Sequence, residues 1–557
     1  MPNVDILNSN KQITCPEGAN LLEVLRQNDI WLDSPCGGNG TCGKCKVRIL
    51  SVDKLRENAF DKTFDSDEVQ ATSQSEIRLA CQTTVCGDMA IELLADEDFT
   101  SVQNNTVVHA ESTESVRIHY KVDADFSSDA YGVAIDIGTT TVVCQLIHLQ
   151  TGELYGTVSG LNPQTIFGLD VISRISYEQT HPESGIQELQ QCIVQSLNAL
   201  ICKLCNEKEL SVNDIQRIAV GANCTMIHML LGVDATSIGK APFRPAFTEA
   251  QTLWAKEIGI VTENAMLYCL PSVSAYIGGD VVAGAYICNL RERTGNVLLI
   301  DIGTNGELVL SRDGEMVSCS CAAGPALEGM NIRSGMRAET GAIQRVQILP
   351  TGVELNVIGA AKPRGLCGSG ILSVIKEFLR TGILRKSGKI VSPGRISEGD
   401  YRKKLLYQES DDTLSVILDV ENPELRVTQK DIRQVQLAKG ALRSGFEALL
   451  QYAGIDPSDL DCVFVAGQFG FYLTESELIG TGILPPEVHD RIEYVGNTSL
   501  AGAKAALCSQ SVREVLENQA SNAAYLELAE LPNYQELLAE CLEFPSEKTL
   551  ATYDWLE

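Results

Sequence analysis

Gly132-Val133-Ala134-Ile135-Asp136-Ile137-Gly138-Thr139-Thr140-Thr141-Val142-Val143 reads as an apolar strand ending in an aspartate, a Gly-Thr turn and a second strand. The pattern returns 165 residues later, from Asp136 to Asp301, as Val297-Leu298-Leu299-Ile300-Asp301-Ile302-Gly303-Thr304-Asn305-Gly306-Glu307-Leu308. One such hairpin is an ordinary turn; its repetition points to an internal duplication. Each copy suits half of a nucleotide clamp. A buried strand brings a carboxylate, Asp136 or Asp301, toward Mg²⁺, and the turn offers N–H and hydroxyl donors to phosphate oxygens. The turn residues are Gly138, Thr139 and Thr140 in the first copy and Gly303, Thr304 and Asn305 in the second.

Downstream, Cys462-Val463-Phe464-Val465-Ala466-Gly467-Gln468-Phe469-Gly470 is an apolar strand that breaks at glycine, where backbone can approach a nucleoside closely. Helical periodicity is expected over Ile186 to Glu207 and over Thr428 to Tyr452, the latter opened by Thr428 with Asp431 three residues on and closed by Gly454. They alternate with strands such as Ile215 to Val220. In this order the two hairpins and the glycine turn resemble the superfamily of actin, sugar kinases and heat-shock chaperone ATPases. That resemblance implies two ribonuclease-H-like lobes within residues 130–557 closing on ATP with Mg²⁺, with phosphate motifs near 134–142 and 298–308, an adenosine motif near 463–470, and Gly467 and Gln468 beside the adenosine.

The N-terminal segment carries different chemistry. Cys36, Cys42 and Cys45 fall within ten residues, separated by glycines that let backbone N–H groups turn inward around an anionic cluster. Cys81 supplies a fourth thiol, ahead of an apolar alternation at Val85 to Leu93 that reads as a strand. Val4 to Leu7 and Gln12 to Thr14 read as a hairpin, and Asn20 to Asn28 as a helix. The arrangement resembles plant-type and adrenodoxin-type ferredoxins, with a five-residue first gap nearer the adrenodoxin side. It implies a β-grasp domain over 1–95 holding a [2Fe–2S] cluster on Cys36, Cys42, Cys45 and Cys81. A zinc site or a redox pair at Cys42 and Cys45 is the alternative; the first would want a second C-x₂-C or a histidine pair, and the second would not need Cys36. Cys86 is the competing fourth thiol. Residues 96–129 are polar and acidic, a linker or a small middle module.

The chain of 557 residues has 44% hydrophobic and 21% charged side chains, enough for several cores. Its formal charge of −29 is spread along the sequence, which argues against nucleic acid or an anionic membrane surface as a partner. Without an apolar run of spanning length or a secretory leader, the cytoplasm is the expected location. There the 19 cysteines are ligands or small core residues rather than a disulfide framework. Cys202 and Cys205 are expected in the core of their helix. Ser318-Cys319-Ser320-Cys321 is expected to be a loop, either a buried turn or one reaching a partner.

An α/β chain with a β-grasp ferredoxin-like domain ahead of a duplicated, actin-like ATPase domain resembles the reductive activators of corrinoid proteins, found with corrinoid-dependent methyltransferases of anaerobes. Val220 to Met226, Ala275 to Asp280, Ala322 to Gly329, Leu366 to Gly370 and Asp431 to Gly440 extend that resemblance. It implies an ATP-hydrolysing iron–sulfur protein that passes an electron to an inactive Co(II) corrinoid protein and restores Co(I), fed by an upstream electron donor and working as a homodimer. Asp280 is the candidate carboxylate for orienting the attacking water, a helix cap being the plain alternative. The competing functions are an ATP-coupled donor to another low-potential acceptor, a small-molecule kinase with a redox-sensing ferredoxin domain, and a nonenzymatic assembly factor.

Overall fold

The computed structural model describes residues 1–8, 11–26, 28, 30, 32, 45–52, 76–94, 120–123, 130–467, 473–546 and 550. Cys36, Cys42 and Gln468 lie outside them, as does most of 96–129.

The N-terminal domain is a five-stranded sheet. The strands β1 (Asn3–Ile6) and β2 (Lys11–Thr14) form the expected hairpin, followed by α1 (Leu21–Arg26) and then β3 (Lys46–Val52), β4 (Glu76–Leu79) and β5 (Met89–Leu93). β1 pairs parallel with β5, and the spatial order is β2-β1-β5-β3-β4, a β-grasp. Leu21, Leu22, Val24 and Leu25 pack onto Val4, Ile6, Val47 and Ile91. The strand expected over Val85 to Leu93 is two pieces, Thr84–Val85 and β5. The turn between them carries Asp88, which accepts a hydrogen bond from the Asn3 amide at 2.7 Å and so ends one strand and starts the next.

The first lobe is built on a six-stranded sheet: β6 (Tyr131–Ile137), β7 (Thr141–His148), β8 (Glu153–Leu161), β9 (Ile215–Ala222), β10 (Gln251–Trp254) and β11 (Met266–Cys269), in the order β8-β7-β6-β9-β11-β10. The second lobe repeats the plan with β12 (Asn296–Ile302), β13 (Gly306–Arg312), β14 (Glu315–Cys321), β15 (Cys462–Ala466), β16 (Ile492–Gly496) and β17 (Ala524–Tyr525), in the order β16-β15-β12-β13-β14-β17. In both sheets the first three strands are antiparallel and two later ones, β9 and β11 in the first and β15 and β16 in the second, add parallel to the first of them, so Asp136 and Asp301 end equivalent strands; β10 is an antiparallel edge. That is the duplication the two hairpins announced.

Helices cover both sheets. α2 (Gly185–Glu207) lies over the first, where Leu189, Ile193, Leu197 and Ile201 are buried. Cys205 joins that core, whereas Cys202 is half-buried. α4 (Gln429–Ala453), following the short α3 (Gly279–Ile287), lies over the second. It has the expected Thr428/Asp431 capping box and left-handed Gly454. Ser318 to Cys321 is neither loop nor turn but the end of strand β14. Cys319 and Cys321 are buried against α4, where a Cβ on Gly445 would sit 2.2 Å from the Cys321 sulfur. Small side chains on both elements allow that approach, and they rule out contact of these thiols with a partner.

After β16 the chain returns to the first lobe. α5 (Thr498–Cys508) and α6 (Gln510–Asn522) bury Leu500, Ala503, Leu507 and Leu516 against Ala130, Ala134 and Ile147. α5 crosses α3 closely, since a Cβ on Gly502 would meet that of Ala283 at 2.4 Å. Residues 120–123, from the stretch expected as linker, pack on this lobe. Asp123 receives Arg217 Nη1 at 3.2 Å, and its amide donates to the Cys508 carbonyl at 3.0 Å. Among the described residues no helix is long and apolar enough to cross a membrane.

Candidate functional site: a nucleotide cleft and a cluster domain

The two aspartate hairpins and the start of α3 bring four carboxylates together. Asp136 stands at the end of β6, where Asn497 Nδ2 donates to its Oδ2 at 2.7 Å and Ser499 Oγ to its Oδ1 at 2.8 Å. Both donors come from the first turn of α5, whose amide of Leu500 is capped by Asn497 Oδ1 at 2.8 Å. Asp280 is the second residue of α3. It is no helix cap: Gly278 occupies that place, and Asp280 Oδ1 accepts from the Val281 amide at 2.8 Å. Asp301 ends β12, and Glu307 is its cross-strand neighbour on β13; Val143 holds that place opposite Asp136 in the first lobe.

Each keeps part of its surface open to the cleft, yet is enclosed deeply enough to favour the protonated form. Burial raises Asp136, against the Asn497 and Ser499 hydrogen bonds. Burial, with repulsion from Asp136, brings Asp280 to about 7; burial, with repulsion from Asp280 and Asp136, brings Asp301 to about 7. Glu307 is raised well above its ordinary value by burial and by Asp280 and Asp301. Among the main influences on these four acids there is no cation. A divalent ion is the complement such a donor set fits.

The turns are held rigidly. The Gly138 amide donates to the Thr141 carbonyl at 2.9 Å and the Gly303 amide to the Asn305 carbonyl at 2.9 Å. Asn162 Nδ2 donates to the Gly138 carbonyl at 2.9 Å, and the Asn162 amide to the Thr140 carbonyl at 2.8 Å. The buried Arg174 guanidinium donates to the Thr139 carbonyl and, at 2.9 Å, to that of Gly168. The Thr139 hydroxyl receives Asn223 Nδ2 at 3.4 Å. Across the cleft, Thr140 Oγ1 and Thr304 Oγ1 donate to the two oxygens of Glu328, at 3.0 and 2.7 Å. Gly467 has φ +95°, its amide donates to the Gly496 carbonyl at 3.1 Å, and a Cβ there would lie 2.6 Å from Asp301 Oδ1. The third glycine turn thus abuts the second aspartate.

The structure brings Asp136, Asp280, Asp301, both turns and Gly467 to one cleft. Sequence reasoning missed Glu307, Glu328, Asn497, Ser499, Asn162 and Arg174. Glu328 lay within the segment Ala322 to Gly329 and Glu307 inside the second hairpin, so a signal existed for those two; the others act from remote positions without a motif.

In the cluster domain, Cys45 is fully buried and Cys81 partly exposed. The Cys81 thiol hydrogen-bonds Cys45, and the amides of Cys81, Cys45 and Ala80 point at the same sulfur, which together lower Cys45 to about 6 despite burial. A buried thiolate ringed by amide donors is what an iron–sulfur ligand requires, so these two cysteines fit a [2Fe–2S] cluster. Cys86 sits beyond Thr84–Val85, half-buried. The domain touches the first lobe where Arg26 Nη2 donates to the Ile166 carbonyl at 3.0 Å, in the short helix that Asn162 caps.

Comparison with known proteins agrees with this division. Residues 4–86 match the 2Fe-2S iron-sulfur cluster binding domain, 131–293 the RACo middle region, and 295–554 the C-terminal domain of RACo, the ASKHA domain. The chain therefore has a [2Fe–2S] domain and an actin-like ATPase domain. It is 32% identical to the corrinoid activation enzyme RamQ of Eubacterium limosum over 554 residues, 91% of this chain and 93% of that one. A Co(II) methylated amine-specific corrinoid protein reductase of Methanosarcina barkeri is 24% identical, covering 68% of this chain and 70% of its own. The solved structure of a reductive activator for corrinoid, iron-sulfur protein superposes with a TM-score of 0.68 at 29% identity, covering 100% of both chains. The chain belongs to the family of reductive activators of corrinoid proteins.

Proposed function

We propose that this protein is an ATP-dependent activator that reduces the inactive Co(II) form of a methyltransferase-system corrinoid protein to Co(I). The observation that carries this reading is the union, in one chain, of a thiolate-favouring cluster domain with a cleft in which two phosphate turns face a set of carboxylates. Cys36, Cys42, Cys45 and Cys81 would hold a [2Fe–2S] cluster, which would supply single electrons at about −400 mV, the range of plant-type clusters.

The nucleotide chemistry belongs to the lobes. Gly138, Thr139 and Thr140 hold phosphate oxygens from one side, and Gly303, Thr304 and Asn305 from the other. Asp136, oriented by Asn497 and Ser499, and Asp301 would hold Mg²⁺ directly or through water. Asp280, at the start of α3 and close enough to Asp136 to feel its charge, orients the attacking water. Gly467 and Gln468 flank the adenosine. With ATP bound, the lobes engage the corrinoid protein and ease a reduction that a simple ferredoxin cannot drive; ATP hydrolysis then releases the reduced product. The protein works as a homodimer and is recharged by an upstream electron donor.

The test is anaerobic mixing of the chemically reduced protein with a Co(II) corrinoid protein, following Co(I) absorbance with and without ATP. ATP-dependent Co(I) formation is expected. ATP consumption without Co(I), across the corrinoid proteins offered, would redirect the reading to another low-potential acceptor or a kinase substrate.

A further inference from the structure

Glu328 ends a short 3₁₀ helix, Pro325–Glu328, in the second lobe. Its two oxygens receive the hydroxyls of Thr140 and Thr304, one from each phosphate turn, and the two turns belong to different lobes. A hydroxyl has one proton to give. While Glu328 holds both, neither threonine can donate to a phosphate oxygen, although each turn is otherwise built to do so. The carboxylate thus stands in for the phosphate: a compact anion accepting from both sides of the cleft.

We propose that Glu328 is a positioning residue that latches the nucleotide-free lobes together and competes with the triphosphate for Thr140 and Thr304. Nucleotide entry must break both hydrogen bonds and repel or protonate a carboxylate, so the affinity for ATP is set below what the turns could deliver. Arg337 stands near enough to stabilise the Glu328 anion, while burial works against it. The bridge couples occupancy of the phosphate site to the register of the two lobes, because one residue measures both turns at once. This rests on the proposal above that the two turns hold phosphate.

The test compares equilibrium binding of ATP and of adenosine, each with and without Mg²⁺, in the full-length protein and in Glu328→Ala. The latch predicts ATP binding roughly tenfold tighter in the variant, since hydrogen bonds to a charged group no longer have to be exchanged. Adenosine binding should be unchanged. In a Thr140→Val/Thr304→Val background the Glu328→Ala gain in ATP affinity should shrink to what removal of the carboxylate charge alone provides, whereas a gain undiminished in that background would overturn the competition for the two hydroxyls. If Glu328→Ala fails to fold, Glu328→Gln keeps the shape and one accepting oxygen, and a smaller shift of the same sign is expected. ATP binding that is unchanged or weakened, selectively weakened with Mg²⁺, or changed equally for adenosine overturns the latch. Absence of ATP binding by the unaltered protein would overturn the phosphate reading itself.

Discussion

Asn497 and Asp136 are 361 residues apart in sequence, yet the Asn497 amide group donates to Asp136 Oδ2 at 2.7 Å. The same asparagine caps α5, the helix that returns from the second lobe to pack on the first. The aspartate of one lobe is therefore aimed by the element that ties the lobes together.

Replacing Asn497 by aspartate separates these tasks. Aspartate still caps a helix but offers no donor to Asp136 and adds a repelling charge. We predict a melting temperature within a few degrees of the parent, with ATPase kcat lower by roughly tenfold or more, an interaction with a charged group being lost. Asn497→Ala should lose the cap as well, at a cost of about 1 kcal/mol read by denaturant unfolding.

Stability should fall with rising pH in the nucleotide-free protein. Asp280 and Asp301 are raised from 3.8 to about 7 in the fold. Between those values the native state binds more protons than the unfolded chain. Their contribution is complete below the lower value and is lost as pH rises through the upper one. Thermal unfolding is expected to show a lower Tm at pH 8 than at pH 6. Asp301→Asn should flatten the slope, as should Mg²⁺ with nucleotide.

Gly467 should not tolerate a side chain. Its φ of +95° is unfavourable for any L-residue, and the added carbon would fall 2.6 Å from Asp301 Oδ1. Gly467→Ala is predicted to weaken nucleotide binding by more than roughly tenfold in a titration, by displacing a carboxylate whose placement matters on the ångström scale. Gly454→Ala is the control. That glycine also has positive φ, +65°, but nothing lies within 4 Å of the added carbon. It should cost about 1 kcal/mol of stability and leave binding unchanged.

The choice of fourth cluster ligand is open to direct test. Cys81→Ser should abolish or strongly reduce visible iron–sulfur absorbance and iron content, while ATPase activity of the lobes persists. Cys86→Ser should leave both at the parent level, because Cys81, not Cys86, shares hydrogen bonds with Cys45.

What could be read in the sequence was local or repeated. The capping box at Thr428 and Asp431 and the terminating Gly454 lie within one helix, so spacing alone revealed them. Asp136 and Asp301 were legible because a duplicated hairpin marked both. Asn497 was not, since it reaches Asp136 across 361 residues without a motif, and Glu328, although inside the segment Ala322 to Gly329, gave no sign of its bridge to Thr140 across 188 residues. Ser318 to Cys321 misled for another reason: cysteine and serine give little hydrophobic alternation, and only the packing of α4 at Gly445 shows the cysteines facing a core. Within the repeat, Glu307 breaks the symmetry where the first lobe has Val143, a difference whose consequence appears only when Asp280 is seen beside it.

The central claim is that one chain joins nucleotide use to delivery of an electron. It is tested most directly by rapid anaerobic mixing of the reduced protein and ATP with a Co(II) corrinoid protein, recording iron–sulfur and cobalt absorbances in the same trace. One Co(I) is expected to appear for each cluster oxidised, with a common rate constant, and Asp136→Asn is expected to slow both changes together. Co(I) appearing at the same rate without ATP and in Asp136→Asn, or clusters that stay reduced while ATP is consumed, would contradict it.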